Sequence, residues 1–128
     1  MEIRTHRIYD PPTALDGTRI LVDGLWPRGI SKQQARIDDW CRQLAPSKEL
    51  RRWFAHDSSR WEGFKERYFA ELDAKRQAQC ALAEVSRDDS LTLLFAARDP
   101  VHNNAVALRE YLLRASKRTL KEIGEEPE

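Results

Sequence analysis

The stretch TRILVDGLWPRGI, residues 18–30, decides the fold. Ile20, Leu21 and Val22 follow one another with no polar residue between them. An unbroken apolar run suits a strand covered on both faces, as in a parallel or mixed α/β sheet; a strand with one wet face would alternate. The run stops at Asp23, and Gly24, Trp26, Pro27, Arg28 and Gly29 follow in a turn. An indole and a guanidinium at the tip of a buried strand mark either a packed corner or the floor of a site.

Working outward, LTLLFAA at residues 91–97 is short, apolar and bounded by turn residues, and reads as another strand. Residues 2–9 alternate weakly and read as the first strand. Asp10-Pro11-Pro12 stops it, because proline brings no ladder donor. Asp16-Gly17 is a turn signal.

The segment between these strands reads as helical. Ser31 caps a short helix to about Ile37, and Asp38 or Asp39 starts another with Trp40, Cys41 and Leu44 inward. Pro46 ends that piece, and Ser47 caps a helix with Leu50, Trp53 and Phe54 on one face and Lys48, Arg51 and Arg52 turned elsewhere. Ser59-x-x-Glu62 fits a capping box, followed by the stripe Trp61, Phe64, Tyr68 and Leu72. Helical composition runs on to about Arg87, with a break expected near Asp73. After residue 97, Arg98 to Asn104 lead into a last helix with Val101, Ala105, Leu108 and Leu112 on one side. The expected architecture is a single α/β domain over residues 1–120, a small mostly parallel or mixed sheet of about three strands with helices packed on it. Residues 121–128 form a charged tail that frays.

Bulk composition narrows the function. With 128 residues the chain suits one core, and 34% charged against 41% hydrophobic residues is ordinary for a globular domain. The net charge of +1 gives no global argument for a polyanion partner. No apolar run reaches the ~18 residues of a membrane span, and the N-terminus lacks the apolar core of a signal peptide, so a cytoplasmic setting is expected. Cys41 and Cys80 read as buried thiols in a reducing compartment. No CxxC or HExxH motif occurs, and neither a metal nor a cofactor is expected.

Three clusters carry chemistry-bearing residues. In the first, Asp23, Trp26, Arg28 and Gly29 follow a strand, where ligands of open α/β sheets bind. Arg28 suits a carboxylate or phosphate, and Gly29 permits a turn or close approach. As plain architecture the same residues would tie and plug a corner. In the second, Arg98, Asp99, His102 and Asn103 open a helix after a strand, a setting that attracts anions. His102 titrates near neutral pH and suits acid–base work. As architecture, Asp99 would be the N-cap and Pro100 the first helical residue. In the third, His56 sits at an inter-helix corner, Trp53-Phe54-Ala55-His56-Asp57. Arg7, at the end of the first strand, joins the ligand-binding set. The basic residues Lys48, Arg51 and Arg52, and Arg114 to Lys121, are diluted by acidic neighbours and read as solvated helix faces.

Four segments, RIYD…DGTRILVDGLWPRGISK, WCRQLAPSKELRRWFAHD, WEGFKERYFAEL and LTLLFAARDPVHNNAVALREYL, resemble in combination the small bacterial proteins of domain-of-unknown-function family 488, in its YeaO-like branch. The resemblance covers roughly residues 3 to 113. It implies a sheet-and-helix domain whose key loops follow two strands, and no activity. The family usually reads Val-Asp-Arg-Leu-Trp-Pro-Arg-Gly, with Gly24 here in place of the first arginine, and tends to lysine where this chain has His6. The family's second loop carries a Cys-His-Arg motif. Here the loop reads Val101-His102-Asn103, so a cysteine nucleophile is missing.

The expectation is one polar pocket at strand carboxyl ends that binds a small phosphate- or carboxylate-bearing ligand. If it is catalytic, His102 or His56 is the acid–base group, Asp23 orients or accepts a proton, and Arg28 and Arg98 hold the anion, with Trp26, Gly29, Asn103 and Arg7 around it. The alternative is a non-catalytic module whose basic outer helices bind nucleic acid or a protein. The sequence does not fix an oligomeric state.

Overall fold

In a computed structural model the chain is described over residues 2–75 and 90–124, with side chains as far as residue 114. Four strands form a parallel sheet in the order β1 (Glu2–Arg7), β4 (Ser90–Phe95), β2 (Thr18–Leu21), β3 (Asp39–Trp40). The helices are α1 (Lys32–Ala35), α2 (Lys48–Phe54), α3 (Trp61–Asp73) and α4 (Asn104–Gly124), with 3-10 turns at Arg42–Leu44 and Ser58–Arg60. The α/β class is as expected, with a fourth strand added.

The apolar runs explain the order. β4 is paired on both edges, with Leu91 beside Ile3 and Leu93 beside Ile20. Its side chains from Leu91 to Phe95 are all buried. Ile3, Ile20, Val22, Leu91, Leu93 and Phe95 meet Leu50, Phe54, Phe64, Tyr68, Leu72 and Leu108 of α2, α3 and α4 in the main core. Leu21, Leu94 and Ile8 face the other way and pack on Ala35 of α1 with Trp26 and Trp40. Burying each such Leu or Ile is worth about 1.5–3 kcal/mol.

The β1–β2 connection, residues 8–17, covers this second face without a helix. Arg4 donates to the Leu15 carbonyl, and Thr92 Oγ1 donates to the Asp16 carbonyl at 2.7 Å. His6 lies over the same loop, 3.6 Å from Asp10 and 3.9 Å from Asp16. Gly17 is obligatory: its φ is +64°, and a Cβ there would lie 2.4 Å from the Ser90 carbonyl oxygen. Arg19, buried, binds Asp16 at 2.5 Å and the carbonyls of Ala35 and Arg36, locking α1 onto the sheet. Burial raises the Asp16 carboxyl, and bonds from Thr13 and Arg19 outweigh it and hold the group below the usual range.

Three local expectations are corrected. No helix starts at Asp38 or Asp39: residues 39–40 pair with Ile20 and Leu21 as β3, and Cys41 donates its N–H to the Leu21 carbonyl. Two residues are too few to show strand alternation. The Ser59–Glu62 capping box does not form. Asp57 accepts from Ser59 N–H and caps a 3-10 turn, and α3 begins at Trp61 without a side-chain cap. The last helix starts at Asn104, so neither Asp99 nor Pro100 is its cap or first residue. The break expected near Asp73 coincides with the end of α3. The helical composition of residues 76–87, Cys80 and the last residues of the charged tail lie outside the described residues. Among the described residues no helix is long and apolar enough to cross a membrane.

Candidate functional site

The segments after β2 and β4 leave on opposite faces of the sheet. β2 leads to α1, whose Ala35 packs on Leu21, and β4 leads to α4, whose Ala105 and Leu108 pack in the main core. Where neighbouring parallel strands send their continuations to opposite faces, a crevice opens at their carboxyl ends. A cleft of about 460 Å³ lies there. Asp23, Gly24, Leu25, Trp26, Pro27 and Arg28 come from the β2 corner, and Ala96, Ala97, His102, Asn103 and Asn104 from the β4 corner. Tyr9, Pro46, Arg51, Phe54, His56 and Phe64 complete the lining.

Asp23 joins the two corners. Its Oδ2 accepts the Ala96 N–H at 2.9 Å, and its Oδ1 accepts Asn104 Nδ2 at 3.1 Å. Asn104 Nδ2 also reaches the Val22 carbonyl at 3.0 Å. Burial raises the Asp23 carboxyl above the usual carboxylate range, partly offset by Asn104, Ala96 and the charge of Arg51. Arg7 performs a similar service on the far side of β4. Its Nε and Nη2 donate to the carbonyls of Ala97 and Ala96, and its guanidinium lies 5.0 Å from the Tyr9 ring centre. Tyr9 in turn donates to the Arg28 carbonyl at 2.8 Å. Arg7 is therefore a strut behind the cleft and is absent from its lining.

At the β4 corner Asp99, His102 and Asn103 satisfy one another. Asp99 accepts the N–H groups of Val101 and His102 and lies 2.9 Å from His102 Nδ1. The Val101 N–H first, then His102, hold the Asp99 carboxyl down to about 2. An ionised Asp99 makes Nδ1 the protonated nitrogen of His102, which leaves Nε2 as the open one. The indole of Trp61 packs edge-on against that ring at 5.3 Å. Asn103 is buried, accepts the Val106 N–H at 3.0 Å and donates to the Asp99 carbonyl, so it is the N-cap of α4. Arg98 is exposed, lines no part of the cleft and has no hydrogen bond or ion pair among the described residues.

The β2 corner is different. Trp26 is fixed by its own bond to the Ile30 carbonyl at 2.7 Å and an edge contact with Trp40 at 5.4 Å. It is both a plug for the second core and a wall of the cleft. The Arg28 side chain is exposed and makes no hydrogen bond or ion pair among the described residues. Gly29 is left-handed at φ +79° with open space around it and supplies the turn, outside the cleft lining. His56 lines the cleft from the end of α2, where Ala55 and His56 are both left-handed, at φ 46° and 59°.

The structure thus brings Asp23, Trp26, Arg28, His56, His102 and Asn103 to one cleft, and leaves Arg7, Gly29 and Arg98 out of it. Arg51, read from periodicity as a solvated residue, also lines it. A Cβ on Gly24 would lie 3.3 Å from Arg51 Nη1, so the missing side chain at Gly24 leaves the slot in which that guanidinium rests. Asn104 and Tyr9 were likewise missed. An asparagine at the first turn of the helix after a strand was the available signal for Asn104. Arg51 carried none, since its role depends on α2 packing over the β2 corner.

Among the described residues no group of three His, Cys, Asp or Glu is placed to hold a metal ion. Cys41 is a free, buried thiol, pushed up to about 11 by burial and by Asp39, and so is protonated at neutral pH.

A family model described as "Inactive DUF488-N3 subclade" matches residues 2–127. The chain belongs to the DUF488 family. It is 41% identical over 112 residues to "Uncharacterized protein YeaO" of Escherichia coli (strain K12), covering 88% of this chain and 97% of that one. It is 36% identical over 110 residues to "Uncharacterized protein Rv3073c" of Mycobacterium tuberculosis (strain ATCC 25618 / H37Rv), covering 86% and 92%. No solved structure matches the chain. The DUF488 membership read from the four sequence segments is therefore correct, and the match extends past them at both ends.

Proposed function

We propose that the cleft binds a small phosphate- or carboxylate-bearing ligand between Arg28 and Arg51 and does not turn it over. One observation carries this reading: two guanidiniums border one cleft, neither with a hydrogen bond or an ion pair among the described residues, while the neighbouring Arg7 and Arg19 are fully engaged with carbonyls and Asp16. A guanidinium suits planar or tetrahedral anions better than an ammonium group does. The subclade's description as inactive favours binding over turnover. A cytoplasmic setting, where a thiol such as Cys41 stays reduced, fits this role.

Acid–base catalysis is the second reading. It rests on Asp99 fixing the His102 tautomer at 2.9 Å with the ring in the cleft wall. It predicts that His102→Ala keeps ligand binding and removes turnover of the bound anion.

Thermal unfolding against orthophosphate, sulfate, acetate and citrate tests the binding reading. A ligand at about 100 times its Kd adds roughly 2.7 kcal/mol, a melting shift of several degrees. The shift is expected in the wild type and absent in Arg28→Ala and Arg51→Ala. No shift with any of these anions, or one that survives both substitutions, refutes the assignment.

A further inference from the structure

The ring of His102 is held on one side and open on the other. Its Nδ1–H donates to Asp99 Oδ2 at 2.9 Å, and the Asp99 carboxylate is itself fixed by the N–H groups of Val101 and His102. Trp61 packs edge-on against the ring at 5.3 Å and is seated on Phe54 and Phe64 at 6.0 and 5.6 Å, so the ring has a firm wall behind it. Nε2 has no partner among the described residues, in a ring that lines the same cleft as Arg28 and Arg51. His56 lines that cleft too, but no hydrogen bond or ion pair among the described residues orients its ring.

A neutral ring with its proton on Nδ1 presents a lone pair at Nε2, and an anion oxygen meets that lone pair as acceptor against acceptor. A second proton turns Nε2 into a charged donor. Resting on the anion reading above, we propose that His102 is the third anion-binding residue of the cleft and that binding takes up a proton: the ring becomes imidazolium, and its Nε2–H donates to the bound anion.

The groups around the ring set the balance. Asp99 favours the added charge, and the positive end of α4, which begins two residues on, opposes it. Trp61 brings no charge, and Lys65 over its indole at 5.6 Å is answered by Glu62 and Glu110 at 3.4 and 3.2 Å. Across the cleft Asp23 favours a further cation, and Arg28, Arg51 and a protonated His56 oppose it. An anion bound among these cations cancels their repulsion and tips the ring to imidazolium.

The test is titration calorimetry with sulfate, which stays a dianion throughout, at about pH 5.5 and about pH 8.5, on either side of the histidine range. The wild type should bind about tenfold more tightly at the lower pH, the worth of one charged hydrogen bond. His102→Gln, which keeps a donor near the place of Nε2 without a titrating charge, should bind equally at both, and His56→Gln should behave as the wild type. By reciprocity the His102 ring nitrogens, followed by NMR in the wild type, should keep the second proton to about one pH unit higher with sulfate bound. Equal wild-type affinity at the two pH values overturns the proposal, as does a His102 titration that sulfate leaves unmoved. A pH dependence that survives in His102→Gln overturns it as well and belongs to His56 or Asp23. No sulfate binding at either pH removes the anion reading and this proposal with it.

Discussion

The loops after β2 and β4 leave neighbouring strand ends with an aspartate and an exposed arginine in each, and use the aspartates in opposite ways while only Arg28 borders the cleft. At the β4 corner the polar groups turn inward: Asp99 takes two N–H groups and His102, and Asn103 caps α4. At the β2 corner the carboxylate of Asp23 reaches across to the β4 corner, while the side chains of Arg28 and the visiting Arg51 make no hydrogen bond or ion pair among the described residues, Arg51 feeling only the charge of Asp23. Hydrogen bonding that is complete inside a loop holds a fold. Donors left open at a concave strand edge are what a ligand can use.

Breaking the joint between the corners has the largest expected effect. Asp23→Ala strands the Ala96 N–H and leaves the Asn104 amide only the Val22 carbonyl, and urea unfolding should show a loss of about 1–3 kcal/mol. A loss under about 0.5 kcal/mol, the range of ordinary surface changes, would mean that Asp23 is not the joint. Next comes the cap: Asn103→Ala should cost about 1–2 kcal/mol, measured the same way, with anion binding kept.

Acidity sharpens the contrast, because the two aspartates titrate in opposite senses. Asp99 is held down to about 2 from 3.8, so its contribution is present above the unfolded value and is lost as the pH falls through the folded one. The stability gap between wild type and Asp99→Asn should close between about pH 4 and pH 2. Asp23 is raised above 3.8, so its contribution is full below that value and is lost as the pH rises through the folded value. Relative to Asp23→Asn, the wild type should lose stability as the pH rises above about 4. Parallel pH profiles for either pair would contradict the assignment.

The smallest expected stability change belongs to the open corner. Arg28→Ala and Arg51→Ala should each stay within about 0.5 kcal/mol of the wild type without ligand. A larger loss would place these side chains in the architecture.

The reading from sequence reached the fold through the two apolar runs, because a strand buried on both faces cannot hide its hydrophobicity. β3 escaped because Asp39–Trp40 is a two-residue strand identified only by its pairing with Ile20 and Leu21. In the cleft, Asp23, Trp26, Arg28 and His102 stood out as unusual residues at strand ends. Arg51 did not, since helical periodicity assigns it to solvent and only the packing of α2 over Gly24 brings it back. Arg7 was legible as a strand-end arginine, yet its use depends on which carbonyls β4 leaves open, Ala96 and Ala97.

Arginine Nε–Hε resonances followed by NMR during an orthophosphate titration test the central contrast most directly. Arg7, Arg19 and Arg109 donate through Nε to the carbonyls of Ala97, Arg36 and Ile3, and their signals should stay in place. The signals of Arg28 and Arg51, assigned by Arg28→Lys and Arg51→Lys, should move together and saturate at one concentration. Movement of Arg7 with Arg28 and Arg51 still, or no movement of any of them, would contradict the account.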